Sequence, residues 1–139
     1  FRIKNFGVSA TFRGQLGGKI FNTYRALYEN TSNLGQSNIL ASWLEDTSFK
    51  GKEVKYSTKY IEDASFLKLD NISASYDLNF KNEYIKKLRL YLTAQNIFCL
   101  TGYSGVDPEV SLSGIAPGIE GTSYYPRTRT FTFGVNVAF

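Results

Sequence analysis

The 139-residue chain has no histidine and no methionine, one cysteine, one tryptophan and three prolines. Each shortage excludes something. Without histidine there is neither a Ser-His-Asp triad nor an imidazole metal ligand. With a single cysteine, Cys99, no internal disulfide can form, and Cys99 reads as a small hydrophobe at a strand end. A chain that opens on Phe1 and carries no methionine is expected to be a processed chain or a fragment. No apolar run is long enough for a spanning helix, and no signal peptide is visible. The excess of positive charge is mild, +4, and no basic run is longer than Lys86-Lys87. A nucleic-acid module would concentrate its cations on one element, so no nucleic-acid partner is expected. Gly14-Gln-Leu-Gly-Gly lacks the spacing and the Lys-Ser/Thr of a phosphate loop.

Aromatic residues are abundant: ten Tyr and eleven Phe beside Trp43, 16% of the chain. They accompany four segments in which apolar and polar residues alternate, the signature of strands with unlike faces. The first spans about 1–21, with Phe6, Val8, Ala10 and Phe12 against Ser9, Thr11, Arg13 and Gln15. The second spans about 64–80, with Ile72, Ala74, Tyr76, Leu78 and Phe80 on one face. Leu67 and Leu69 lie on the opposite phase, which a bulge or a change of burial would explain. The third, 88–98, sets Leu88, Leu90, Leu92 and Ala94 against Arg89, Tyr91, Thr93 and Gln95. The fourth, 128–139, sets Phe131, Phe133, Val135, Val137 and Phe139 against Thr130, Thr132, Gly134, Asn136 and Ala138. Long connections at 22–63 and 99–127 alternate with a short turn at 81–87. In the first, Tyr24, Leu27 and Tyr28 share helical spacing, with Thr23 as the expected cap.

Long loops at one end, short turns at the other, and strands of about 9–11 residues match an outer-membrane β-barrel. Aromatics near the strand ends, Tyr103, Tyr124 and Tyr125 on one side and Tyr84 and Phe139 on the other, suit the two lipid boundaries. With the long loops outside, the last strand ends at the periplasm. Four strands cannot close a barrel, and open edges are not tolerated in lipid, so further strands are expected upstream or from other chains. The fold class expected is therefore all-β: four antiparallel strands of a transmembrane barrel with two long extracellular loops. Alternation alone also suits a soluble β-sandwich binding module.

Five blocks carry a resemblance: FRGQLGGKIFN at 12–22, NILASWLED at 38–46, YIEDASFLKLDNISASYDL at 60–78, LRLYLTAQNIFCLTGYSGVDPEV at 88–110 and YYPRTRTFTFGVNVAF at 124–139. In order and spacing they resemble the C-terminal end of the SusC/RagA-like TonB-dependent transporters of the Gram-negative outer membrane. The resemblance implies a 22-stranded barrel with a plugged lumen, of which this chain supplies the last four strands. It implies import of oligomeric nutrients, glycan or peptide, with a SusD-like surface-lipoprotein lid. It also implies energy from the TonB complex, delivered through an N-terminal part absent here. The terminal Phe139, with Phe131, Phe133, Val135 and Val137, resembles the signal read by the barrel assembly machinery. A passive porin or adhesin-like barrel would share the strands but lack energy coupling.

No covalent chemistry is expected. Glu45/Asp46, Glu62/Asp63 and Asp107/Glu109 are acid pairs in loops or at strand ends, without the supporting motif of a glycosidase. No cofactor is expected; Asp107 and Glu109 are weak candidates for a structural calcium, which takes oxygen ligands. Trp43, Tyr103, Tyr124 and Tyr125 are the candidate loop contacts to substrate or lid. Arg13, Arg89 and Gln95 are the candidate lumen-facing residues, the arginines being placed to pair with plug carboxylates.

Overall fold

The computed structural model describes residues 1–33, 35–45, 56–81, 84–109 and 118–139. Among these residues the elements run β1 (Arg2–Ile3), β2 (Phe6–Gln15), β3 (Lys19–Phe21), α1 (Thr23–Tyr28), α2 (Ser42–Glu45), β4 (Ile61–Asp63), β5 (Phe66–Asn79), β6 (Lys87–Thr101) and β7 (Thr130–Ala138). They sort into two compact units: residues 1–14, 67–100 and 127–139, and residues 15–66 and 101–126. Asp46, part of one acid pair, lies outside the described residues, as do Asn82 and Glu83 of the short turn.

The first unit is a five-stranded sheet in the order β1-β2-β5-β6-β7. β6 and β7 pair antiparallel from Lys87↔Ala138 to Gln95↔Thr130. That register makes every second pair apolar on both sides: Leu88↔Val137, Leu90↔Val135, Leu92↔Phe133 and Ala94↔Phe131. The pairs between them are Arg89↔Asn136, Tyr91↔Gly134, Thr93↔Thr132 and Gln95↔Thr130. Because side chains alternate along a strand, this in-phase pairing sorts the two kinds of residue onto opposite faces. β5 and β6 form a hairpin closed by Phe80 N–H donating to Lys86 O at 3.0 Å.

The strand expected over 1–21 is broken into three. Lys4, at φ 50, reverses the chain so that β1 folds back on β2 with Ile3↔Phe6. Gly17 and Gly18, at φ 80 and 91, end β2, and β3 then pairs elsewhere. Glycine tolerates this left-handed backbone without a Cβ penalty. β6 is longer than the 88–98 expected, and β7 is shorter than 128–139 at both ends.

β2 and β5 also meet antiparallel, with contacts whose numbers run in opposite directions: Asn5 with Asp77, Ser9 with Ser73, Arg13 with Asp70. Ser9 and Arg13 are an even number of residues apart, whereas Asp70 and Ser73 are an odd number apart. Two regular strands cannot place both pairs on one face, so the ladder carries a one-residue slip here. The phase change between Leu69 and Ile72 falls in the same interval, which favours the bulge over a change of burial.

In β6 the left-handed residue is Asn96, at φ 53. It follows the last β6–β7 pair, and its side-chain amide donates to Thr128 O at 3.1 Å. Asparagine is one of the few residues other than glycine that adopts this conformation readily. The Asn of the AQNIF block thus ends the ladder and replaces its next backbone bond with a side-chain one.

The second unit gives structure to the two long connections. β3 pairs with β4 from Lys19↔Asp63 to Phe21↔Ile61. Phe21 N–H donates to Gly118 O at 2.7 Å, and Phe21 O accepts from Glu120 N–H at 3.2 Å. Gly118 sits at φ +86, and a Cβ there would lie 3.1 Å from Lys19 O. Helix α1 forms where the Tyr24/Leu27/Tyr28 spacing predicts it, but its cap is Asn22 rather than Thr23. Asn22 Oδ1 accepts from Arg25 N–H at 3.0 Å. Asn22 is extended and fully buried, so its carbonyl side chain is held against the helix end. Ile20, Ala64 and Tyr103 form the apolar centre of this unit.

Candidate functional site

The wall unit has two unlike faces. A cleft of about 170 Å³ is lined by Phe6, Ala74, Tyr76, Leu90, Leu92 and Phe133 from four strands, with Ser75 and Tyr91, and the β6–β7 register puts Leu90, Leu92 and Phe133 on one side. That side is uncovered: Phe131 is 69% exposed, Phe133 68%, Leu92 52% and Val135 48%. Contiguous exposed apolar surface on this scale marks contact with a partner or a membrane.

The other face carries the polar pairs and an ion cluster. Asp77, whose side chain is 4% exposed, accepts from Arg89 Nε at 2.6 Å and Nη2 at 3.0 Å, and from Arg2 Nη2 at 2.6 Å. Lys87 Nζ lies 3.3 Å from the same carboxylate. Higher on the sheet, Arg13 grips Asp70 through Nε at 2.8 Å and Nη2 at 3.2 Å. Arg13 and Arg89 are therefore paired with carboxylates of the wall itself. Gln95 is exposed opposite Thr130.

The Tyr91 ring lies over Gly134, its cross-strand partner, and fills the space a Cβ would take. Any side chain at 134 must displace the ring, at an overpacking cost of about 1–3 kcal/mol. Gly134→Val should lower the yield of folded, heat-modifiable protein. Tyr91→Ala added to it should restore part of the loss; no restoration would refute the packing role.

The second unit is held by two carboxylates that share one guanidinium. Glu29, with its side chain 1% exposed, accepts from Arg25 Nε at 2.6 Å and from Ser42 Oγ at 2.6 Å. Glu62 accepts from Arg25 Nη1 at 2.8 Å, Asn22 Nδ2 at 3.1 Å, and Ser104 N–H and Oγ–H, both at 2.7 Å. Ser104 comes from the connection after β6, so Glu62 joins the two long connections. Burial pushes both carboxyls up, but Arg25 and the hydroxyl and amide donors outweigh it and hold both below the usual carboxylate range. The pairing with Glu29 raises Arg25 further, so it is charged throughout.

A carboxyl lowered in the folded state contributes stability above its ordinary pKa of 4.5 and loses it as pH falls through the folded value. Amide exchange in segments 22–29 and 101–106 should therefore accelerate, relative to the intrinsic rate, as pH drops below 4.5. Protection that stays constant into strong acid would contradict this.

Four aromatic residues were candidates for contact to substrate or lid, and the structure separates them. Tyr103 is buried, and its hydroxyl donates to Glu120 Oε2 at 2.7 Å. Burial first, and then the Glu120 carboxylate, push its phenol up. Tyr103 is thus a core residue, inaccessible to a ligand. Tyr124 donates to Asp107 Oδ2 at 3.3 Å, Trp43 is half-buried in α2, and Tyr125 is 80% exposed. Asp107 and Glu109 are buried, and Asp107 Oδ1 accepts from Glu109 N–H at 3.0 Å. Among the described residues no group of three acidic, His or Cys side chains is gathered that could hold a metal ion. Asp107 acts as a hydrogen-bonding group of the loop fold, accepting from Glu109 N–H and from Tyr124.

The arrangement is a two-faced antiparallel sheet and a polar loop unit, each compact by itself, and known proteins match it. The chain is 30% identical over 155 residues to TonB-dependent receptor P3 of Formosa agariphila, covering 99% of this chain and 15% of that receptor. It is 32% identical over 145 residues to TonB-dependent receptor SusC of Bacteroides thetaiotaomicron, covering 98% of this chain and 14% of SusC. A solved structure of the RagAB peptide transporter superposes with a TM-score of 0.79 at 27% identity, over 98% of this chain and 16% of that one. The chain is homologous to a segment of the SusC/RagA family of TonB-dependent receptors. No family model matches it.

As a SusC/RagA segment, the chain spans about 15% of the length of the relatives it matches. The family consists of transporters, not enzymes, and implies the outer membrane of a Gram-negative bacterium. The mostly β, antiparallel sheet of this SusC/RagA segment corresponds to part of the RagA barrel. Sequence reasoning missed two hubs of the segment, Asp77 and the Arg25 pair. Asp77 was legible as a polar-face residue. Its meeting with Arg89 follows only once the register of the β5–β6 hairpin is set. Arg25 gave no signal, since Glu62 lies 37 residues away.

Proposed function

We propose that this segment forms wall and loops of an active importer of oligomeric nutrients, glycan or peptide, in the outer membrane. The single observation that carries the proposal is the two-faced sheet, with an uncovered apolar side and a charged, hydrogen-bonding side. Such a sheet suits lipid on one side and a wet lumen on the other. Strands β2, β5, β6 and β7 would be the last four of the barrel, with the turn at 81–87 periplasmic and the connections 22–63 and 99–127 extracellular. The energy would come from TonB through another part of the receptor. A SusD-like lipoprotein would cover the loops, by likeness to RagAB. Trp43, Tyr124 and Tyr125 remain candidates for contact with lid or substrate.

The test is growth and uptake by the producing bacterium on panels of glycans and peptides, with the receptor deleted or with TonB removed. Both deletions should abolish use of the same oligomer class, and the receptor should require detergent for extraction. Uptake that survives loss of TonB would make the barrel a passive pore. Recovery of the native protein in the aqueous fraction without detergent would overturn the membrane reading altogether.

A further inference from the structure

The apolar centre of the loop unit is drawn from both long connections. Ile20 and Ala64 flank the first, Tyr103 belongs to the second, and all three are buried. Among the described residues, neither connection has a buried apolar cluster of its own. The small sheet is shared in the same way. Phe21 of β3 pairs with Ile61 on one side and bridges in parallel to Ile119 on the other. Its N–H and O both bond to the second connection, at Gly118 and Glu120. The Glu120 side chain, in a residue 1% exposed, accepts from Tyr103 O–H and Val106 N–H. It thereby folds the second connection back on itself and presents 118–120 to β3. Tyr24 O–H donates to Thr122 O at 2.8 Å, and Asn22 Nδ2 donates to Ser104 Oγ at 3.1 Å.

We propose that the two connections form one clasp that stays shut while the receptor takes up its cargo, so that the opening which admits an oligomer lies elsewhere on the rim. The reason is cooperativity. Parting the connections would uncover Ile20 and Tyr103 and separate Phe21, Asn22, Tyr24 and Glu62 from their partners all at once. Opening here is therefore unfolding of the unit and not a local swing, and each buried polar group would lose its partner with it. Loops that move in function come from the other extreme, with few buried contacts. The proposal rests on the import reading, since a fixed clasp has a role only where other parts of a rim must move.

The test places one thiol on each connection, at residues whose side chains take no part in the hydrogen bonds of the joint. Ile61 and Ile119 flank Phe21 on the same face and are 44% and 53% exposed. They lie two strand spacings apart, about 10 Å. In the full receptor, with Cys99 and every other cysteine replaced by Ser, Ile61→Cys and Ile119→Cys are joined on whole cells by a bis-maleimide of that span. Each thiol adds across one maleimide double bond, and nothing leaves. The link should form in resting and in importing cells alike. Linked cells should import at the rate of cells treated with a mono-maleimide. Gly118→Val in the same receptor forces a side chain into left-handed backbone against Lys19 O, and should lower link and uptake together. If it does not assemble, Gly118→Ala carries the same Cβ and takes its place. Loss of uptake on linking, failure of the link to form with Gly118 intact, or full uptake in a Gly118 variant that has lost the link would each overturn the proposal. Absence of TonB-dependent uptake from the unlinked receptor would instead remove the import reading, and the part of the clasp in uptake would fall with it.

Discussion

Phe133→Lys and Val135→Lys should each strip most of the folded receptor from the outer membrane, while Thr132→Lys should leave it near its normal level. The three positions are neighbours in β7 and differ only in the face they occupy. Phe133 and Val135 flank the middle of the strand on the apolar side, opposite Leu92 and Leu90. Thr132 stands on the polar side, opposite Thr93. A lysine at the bilayer midplane costs about 2–4 kcal/mol on the lipid face of a barrel, and residues facing the lumen escape that cost. At 1.4 kcal/mol per factor of ten, this is roughly a 30- to 700-fold shift in the equilibrium of assembly. Heat-modifiable mobility on gels, read on outer-membrane fractions, measures it directly. Equal levels of all three variants would mean that the two faces see the same solvent, which no membrane barrel allows.

Arg25→Met should open the loop body while leaving the wall intact. Arg25 is the cation shared by Glu29 and Glu62, so its loss leaves two largely buried carboxylates facing each other with neutral donors only, apart from Lys59 at 3.8 Å from Glu29. Removing one partner of a buried ion pair costs about 3–5 kcal/mol, chiefly because the remaining charge is stranded. Limited proteolysis should then cut within the second unit at concentrations of protease that spare the wild type. Arg25→Lys should rescue only partly, since an ammonium cannot reproduce a planar fork that bonds two carboxylates at once. The triple change Arg25→Met, Glu29→Gln, Glu62→Gln should be milder than Arg25→Met alone, because it removes the stranded charges along with their partner. A triple variant as open as the single one would show that Arg25 acts through packing and not through charge.

Much of the wall was legible along the chain. The alternation of Phe131 to Phe139, and of Leu88 to Ala94, named the faces of those residues in β6 and β7 before any pairing was known. Alternation is a local property, since the pleat turns each successive side chain to the opposite side whatever the partner. The first strand was less legible for the same reason. Lys4 reverses the chain with a left-handed residue that is neither glycine nor asparagine, so nothing in the residue type announces it. Gly17 and Gly18 signalled a break, but not that β3 would leave the sheet for another partner.

The candidate site divides along the same line. That Tyr103 would be buried on Glu120, and Tyr125 left in solvent, depends on contacts 17 residues or more apart in sequence or on their absence, and aromatic residues in a loop look alike. The long connections were polar and nearly patternless because their stability comes from hydrogen bonds between distant residues. Asn22, Arg25, Glu29, Glu62 and Ser104 make one network only after the chain has been folded.

By itself, then, the sequence determined a two-faced sheet, its strand periods and its likeness to the SusC/RagA receptors, because periodicity and motif spacing are written residue by residue. Only the tertiary structure decided which cations find Asp77, where β2 and β5 slip out of phase, and that two loops become one body. Those outcomes turn on register and on long-range pairing. A shift of one residue exchanges the faces of a strand, and no local stretch of sequence encodes it.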